Sequence, residues 1–318
     1  AEEESFVQKT VTASRRRSLI TRIVVGYVLV VIPLSVILWL YFYWNAWKKK
    51  GREYRFPDIP EHVRELPSEL PPAMVDVLLK QGGKPDTDAF VATIFDLARK
   101  GYIRLEDETE IKSGLLRTKK KVKTSLIIAD LNLNKLRDFE QMVIDFLFST
   151  VPFGDKETFN IVAEVISGLK EHRDINRNAN RYKINNEVMM EDVKDYIKNN
   201  NQTFRKWFEH WQDEVMNEAE VEGYLEKEGE KLAKRFWIIS GLMFLLGSPV
   251  LLLGIFLIPK LKRWKKEWAR EAIQWKAFKK FLDDFSSFKE IPPEAYKLWE
   301  HYLVYGVLFG NAEAILDA

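Results

Sequence analysis

Two uncharged apolar runs interrupt an otherwise densely charged chain. Ile23 to Trp44 reads IVVGYVLVVIPLSVILWLYFYW, and Phe236 to Ile258 reads FWIISGLMFLLGSPVLLLGIFLI. A helix needs about 20 apolar residues to cross a ~30 Å hydrocarbon core, and each run is long enough for one crossing. Arg15, Arg16, Arg17 and Arg22 precede the first run, and Lys48, Lys49, Lys50 and Arg52 follow it. Trp39, Tyr41, Tyr43, Trp44 and Trp47 crowd its C-terminal end, as an interfacial aromatic belt does. Residues 23–47 are therefore expected to form a transmembrane helix, kinked at Pro33. A cleaved signal peptide is not expected, because the run is too long and no small-residue cleavage site follows.

The second run, 236–258, carries the turn signal Gly247-Ser248-Pro249 at its centre. It reads either as one kinked span or as a re-entrant hairpin with arms of about eleven residues, each ~17 Å long. Lys231, Lys234 and Arg235 stand before it, and Lys260, Lys262, Arg263, Lys265 and Lys266 after it. If both flanks are cytoplasmic the hairpin is favoured; charge alone leaves both readings open.

Between the runs, Pro57, Pro60, Pro67, Pro71 and Pro72 mark 48–71 as an extended tether. The stretch PPAMVDVLLKQG opens a short helix with Pro at its start and Gly82-Gly83 at its end. A second helix is expected over Thr87–Lys100, with Asp86 as N-cap and Gly101 at C′. Its apolar residues Phe90, Val91, Ile94, Phe95, Leu97 and Ala98 fall largely on one face. Tyr102–Leu105 reads as a strand, and Leu115–Ile128 as one or two returning strands. Helix, helix and hairpin over 72–130 make a winged-helix-like module. Placing Thr87–Lys100 in a DNA groove conflicts with Asp86, Asp88 and Asp96, whereas a groove-reading helix presents Arg, Lys, Asn or Gln. The hairpin's basic cluster, Arg117, Lys119, Lys120, Lys121 and Lys123, reads first as a solvated face.

Residues 131–235 form a helical soluble region. It has a helix over Leu136–Ser149, a polar Asn-rich stretch from Asn176 to Asn201, and a long helix over Gln202–Lys234 running toward the second apolar run. Phe204, Trp207, Phe208, Trp211, Val215, Met216 and Ala219 form that helix's packing stripe. In the tail, 259–318, Trp264, Trp268, Ala272, Trp275, Phe278, Leu282 and Phe285 recur at three- and four-residue spacings. They read as an amphipathic helix either lying at the bilayer surface, with Trp264 and Trp268 as anchors, or packing on other helices. Pro292-Pro293 starts another helix, and Tyr302–Phe309 is apolar all round. The fold class is thus a mainly α membrane protein: two hydrophobic membrane segments and a helical soluble domain that includes the winged-helix-like α/β-hairpin module.

Composition narrows the function classes. From Gly51 to Arg235 there are 30 Lys/Arg against 35 Asp/Glu, and from Lys260 to Ala318 there are 11 against 9. The largest piece is mildly acidic, so nucleic acid is not the expected partner. The absence of cysteine excludes disulfides and thiolate metal sites. His62, His172, His210 and His301 show no metal-ligand spacing. Gly82-Gly83-Lys84 is not a phosphate loop, and no nucleophile elbow is present. The pairs Glu191-Asp192 and Asp283-Asp284 diverge on a helix and make poor acid/base partners. No catalytic, cofactor-binding or metal-binding residue is therefore assigned and no cofactor is expected. Neither apolar run carries an ionisable residue to mark an ion path.

LPPAMVDVLL, FDLARKGYIRLE and above all the tail WKAFKKFLDDFSSFKEIPPEAYKLWEHYLVYGVLFGNAEAI resemble the YciQ-like family of predicted bacterial membrane proteins. The resemblance implies a cell-membrane location, an external N-terminus with 1–22 as an extracytoplasmic linker, and a cytoplasmic domain over Gly51–Arg235. It also implies a secreted β-rich domain ahead of this portion, in keeping with a first residue of Ala1 rather than Met, and a close pair of hydrophobic segments. It supplies no chemistry. The expectation is a non-enzymatic, membrane-anchored scaffold or interaction protein of the bacterial envelope, with the lipid bilayer and a protein partner or a second copy as its partners. The alternatives are a membrane-tethered winged-helix transcription regulator and an enzyme whose catalytic part precedes this portion.

Overall fold

The computed structural model describes residues 15–113, 118–130, 132–153, 186–284 and 298–316. Among the described residues the chain is mostly helical with one small sheet, and it divides into two units: 1–55 with 224–269, and 56–223 with 270–318.

The first unit is built on α1, Arg15–Gly51, a helix long and apolar enough to cross a bilayer. Pro33 has no N–H and its ring clashes with the carbonyl four residues back. The helix absorbs this with a π-helical turn at Tyr27–Val31, ending two residues before Pro33, and continues without a break. A second π-helical turn, Trp47–Gly51, carries the helix past the expected end at 47.

The second apolar run is not one helix. α7, Lys227–Leu245, ends where Gly247 adopts φ +83°, and α8, Val250–Leu257, starts after Pro249. Only glycine takes that backbone conformation freely, and proline favours a helix start. The two arms fold back on each other, so that a Cβ on Gly254 of α8 would lie 3.5 Å from Ser240 Oγ of α7. The run is therefore a helical hairpin, and α1 is the one long apolar helix among the described residues.

In the second unit, α2 (Pro72–Leu79) and α3 (Thr87–Arg99) precede the hairpin of β1 (Ile103–Ser113) and β2 (Thr118–Ile128). Asp86 caps α3, its Oδ1 accepting from the N–H groups of Asp88 (3.0 Å) and Ala89 (3.2 Å). The strands pair antiparallel, with Ile103 opposite Ile128 and Leu105 opposite Leu126. A third strand that the sequence pattern did not announce, β3 (Glu187–Met189), adds to β2 with Val188 opposite Leu126. α4 (Asp138–Asp145) continues through a π-helical turn to Phe153. α5 (Met190–Asn199) and α6 (Asn201–Glu222) follow. α6 ends at Gly223 with φ +67°, and α7 begins anew at Lys227, so the expected continuous helix over 202–234 does not form.

The core of this unit is aromatic. Phe90 of α3 meets Trp207 and Trp211 of α6 edge-on at 5.6 and 5.5 Å, and Phe146 stacks on Trp207 at 4.2 Å. α9 (Lys266–Asp283) and α10 (Trp299–Phe309) complete the described helices together with the short α11 (Ala312–Leu316). Ala272, Trp275, Phe278 and Leu282 are buried, with Trp275 4.7 Å from Tyr305, so that stripe is packing surface. Trp264 is buried within the first unit rather than displayed as an anchor. The expected helix start at Pro292-Pro293 lies outside the described residues, as does Phe285.

The proline-rich stretch is no free tether. Its backbone carbonyls at Arg64 and Leu70 accept from the hydroxyls of Tyr302 (3.0 Å) and Tyr305 (2.6 Å). Asp58 pairs with Arg270 at 2.5 Å, and Val63 N–H reaches Ala277 O at 3.4 Å. This backbone finds its partners elsewhere: tyrosine hydroxyls of α10 and a backbone carbonyl of α9 supply them.

Candidate functional site

Two places concentrate polar or interfacial chemistry. The first is the contact of α1 with the α7–α8 hairpin. Its core comprises Trp39, Tyr43, Ala233, Phe236, Val250, Ile258 and Leu261. Trp39 and Tyr43 stack at 5.5 Å, and Phe236 meets both edge-on. Polar contacts inside the apolar stretch also tie the hairpin to α1. Ser35 Oγ bonds Ser248 Oγ at 2.9 Å, Trp39 Nε1 donates to Ser240 Oγ at 3.0 Å, Tyr43 donates to Leu257 O at 2.9 Å, and Tyr27 donates to Leu246 O. Gly51 and Gly229 let backbones approach: a Cβ on either would come within 2.7 Å of a carbonyl, that of Lys260 or of Leu261. Small residues and serine hydroxyls are what helix pairs in lipid use.

The outward face of this bundle is apolar. Ile23 is 69% exposed, Leu245 81% and Phe256 73%, among many others on α1, α7 and α8. So large a contiguous apolar surface marks a membrane or partner contact.

The second place is a buried charge network in the other unit. Asp96 of α3 and Glu140 of α4 are both buried. Lys100 Nζ bridges them, at 2.8 Å from Asp96 and 2.6 Å from Glu140. Burial alone would lower the Lys100 ammonium, but the two carboxylates outweigh it and hold it above its ordinary range. Arg99 pairs with Asp96 at 2.8 Å and donates Nη1–H to His301 Nε2 of α10 at 3.1 Å. Burial, then the Arg99 charge, push the His301 imidazole below its usual value. Glu140 Oε2 also accepts from Arg137 N–H at 2.9 Å. The network joins α3, α4 and α10, with each carboxylate matched to a cation.

A family model described as the C-terminal domain of a predicted membrane protein (DUF2207) matches residues 59–259 and 238–318. The chain belongs to this family. The two matched stretches overlap over 238–259, which takes in most of the apolar part of the hairpin. No curated protein and no solved structure matches the chain. This DUF2207 C-terminal domain is thus preceded here by one candidate transmembrane helix near the N-terminus, α1.

The other residues considered from sequence fall apart or pair locally in this DUF2207 domain. His62 Nε2 lies 2.8 Å from Asp284 Oδ2, His210 is exposed on α6, and His172 lies outside the described residues. Asp283 accepts from Asn311 at 2.6 Å, so Asp283 and Asp284 diverge. Glu191 and Asp192 are exposed in the first turn of α5. Asp192, Asp195, Tyr196 and Asn199 line a cleft of about 310 Å³ beside Val151 and Pro152. Lys84 pairs with Asp213 rather than facing an empty loop. Among the described residues no group of three His, Asp or Glu could hold a metal. Of the basic hairpin cluster, Arg117 and the side chains of Lys119, Lys120 and Lys121 lie outside the described residues.

α3 does not present a groove-reading surface. Its exposed positions are Thr87, Asp88 and Val91, and its basic end, Arg99 and Lys100, is engaged by Asp96 and Glu140. The helix–helix–hairpin order is present, but α3 is a core helix. The spacing Asp96, Arg99, Lys100 (i, i+3, i+4) was the sequence signal for the network. Glu140 and His301 carried none, because they reach it from distant elements.

Proposed function

We propose that this chain is a membrane-anchored scaffold or interaction protein of the bacterial envelope, with α1 crossing the bilayer and the 236–258 hairpin entering it from the side of residues 51–235. The observation that carries this reading is the apolar outer surface shared by α1, α7 and α8, bounded by basic residues where the helices leave it. An α1 of 37 residues spans ~55 Å, more than the hydrocarbon core requires. The apolar part of α7, Phe236–Leu245, is only ~15 Å long and reaches about half of that depth. Ser248 at the hairpin's turn meets Ser35, near the middle of the apolar run of α1, as a re-entrant segment would. The charge network, with its carboxylates saturated by cations, supports a scaffolding role for the other unit rather than acid–base chemistry.

The test is topology in intact bacteria. Single cysteines at Ser5, Asp88 and Leu316 of this cysteine-free chain are labelled from outside. Labelling at Ser5 alone is expected. Labelling at Leu316 as well as Ser5 would make 236–258 a true crossing, and labelling at Asp88 would reverse the orientation. Release of the chain from membranes by alkaline carbonate would overturn the anchoring itself.

A further inference from the structure

Three basic stretches that lie far apart in the chain converge at one end of the first unit. They are Lys48–Arg52, Lys231–Arg235 and Lys260–Lys266. Gly51 lies against the carbonyl of Lys260, and Gly229 against that of Leu261. Arg263 Nη1 donates to Arg52 O at 3.3 Å, Lys50 pairs with Glu228, and Leu225 bridges to Trp264. The return of the hairpin is what brings them together.

Within 48–55 and 224–269 stand fourteen Lys/Arg against five Asp/Glu. Of those acids, Glu226 is engaged by Arg263 (2.6 Å) and Tyr54 (2.8 Å), and Glu228 by Lys50. Lys48, Lys49, Lys231, Lys234, Arg235 and Lys260 remain exposed. Four of these six stand next to the apolar surface. Lys48 follows Trp47, Lys234 and Arg235 directly precede Phe236, and Lys260 comes two residues after Ile258. The cations therefore stand as a collar where apolar surface gives way to polar surface.

That position selects among anions. A soluble anion has no reason to prefer a site bounded by exposed apolar helices, whereas lipid phosphates lie at that depth, above the acyl chains. Lys48 also lies over the Trp44 ring at 5.3 Å, a pairing suited to the headgroup layer. We propose that this collar binds the phosphates of anionic phospholipids and gathers a shell of them around α1 and the hairpin. The proposal rests on the reading of these elements as membrane segments.

The full chain is reconstituted into phosphatidylcholine vesicles, with and without about one-fifth phosphatidylglycerol. Flotation measures insertion. Spin-labelled phosphatidylglycerol and phosphatidylcholine measure which lipid is held at the protein surface. Each basic residue near an anionic surface changes local lipid affinity by roughly fivefold at low salt. The wild-type chain is expected to float with both vesicles and to hold phosphatidylglycerol preferentially, with the preference falling at high salt. Lys231→Gln, Lys234→Gln and Arg235→Gln together should still float with phosphatidylcholine but lose that preference about tenfold or more. Lys231→Arg with Lys234→Arg should keep it. Flotation without any phosphatidylglycerol preference would overturn the collar and leave the membrane reading standing. Failure to float with either vesicle would sink both. Removal of the preference by millimolar inorganic phosphate or by a short DNA duplex would make the collar a general polyanion site and overturn the lipid assignment.

Discussion

Trp39 on α1 donates its indole N–H to Ser240 on α7 at 3.0 Å, and the Ser240 hydroxyl passes its own proton to the Phe236 carbonyl at 2.7 Å. Both side chains are buried, and one hydroxyl serves as both acceptor and donor. Ser240→Ala leaves the indole without an acceptor in an apolar setting. The expected loss is about 1–2 kcal/mol, the upper range for a hydrogen bond between helices in lipid. Trp39→Phe in the Ser240→Ala background should cost little more in hydrogen-bond energy. A double-mutant cycle on thermal unfolding in detergent measures the coupling, and strict additivity would argue against the bond.

The hairpin's close approaches predict a contrast between two glycines of α7. A Cβ on Gly229 would lie 2.7 Å from Leu261 O, which is backbone and cannot swing away. Gly229→Ala should destabilise by about 1–3 kcal/mol. Gly241 has nothing within 4 Å of its Cβ position. Gly241→Ala should be neutral or stabilise by up to about 1 kcal/mol through helix propensity. Melting temperatures of the two variants in one detergent decide it.

In the charge network, removing one partner strands the others. Asp96→Ala leaves Arg99 and Lys100 without their shared buried carboxylate and should destabilise by about 3 kcal/mol. Lys100→Met should cost less, because Asp96 keeps Arg99 and Glu140 keeps the Arg137 N–H. Chemical denaturation followed by tryptophan fluorescence separates them, and equal losses would contradict the arrangement.

Asp145 at the end of α4 is pushed up to about 7 by burial, from an ordinary 3.8. The folded chain thus binds a proton more tightly than the unfolded chain. This contribution to stability is fully present below pH ~3.8 and is lost as pH rises through about 7. Asp145→Asn should flatten that fall and make the protein more stable than wild type at pH 8 by roughly 2 kcal/mol. That is about half of what 1.36 kcal/mol per pH unit allows over the interval, since the residue as a whole is only half-buried. Melting temperature against pH for both proteins checks the sign.

Much of the local structure was legible. Asp86 and Gly101 bracketed α3, and Gly247-Ser248-Pro249 marked an interruption of the second run, because caps and turns depend on a few neighbouring residues. The uncharged length of 23–44 was enough to indicate a candidate membrane helix for the same reason. The extension of α6 toward α7 failed at Gly223, where the glycine's left-handed conformation outweighed a sustained helical pattern. The proline-rich stretch read as a tether because nothing near it in sequence satisfies its carbonyls; Tyr302 and Tyr305 come from more than two hundred residues away.

By itself, the sequence determined the central part of most helices, the apolar length of 23–44 and the turn signal inside 236–258. Tertiary structure alone decided that 236–258 folds back and that Glu140 and His301 meet the charged end of α3. It also decided that three separate basic stretches form one collar. The reason is physical: helix periodicity and turn chemistry act over a few residues, whereas these contacts depend on which surfaces the chain buries together.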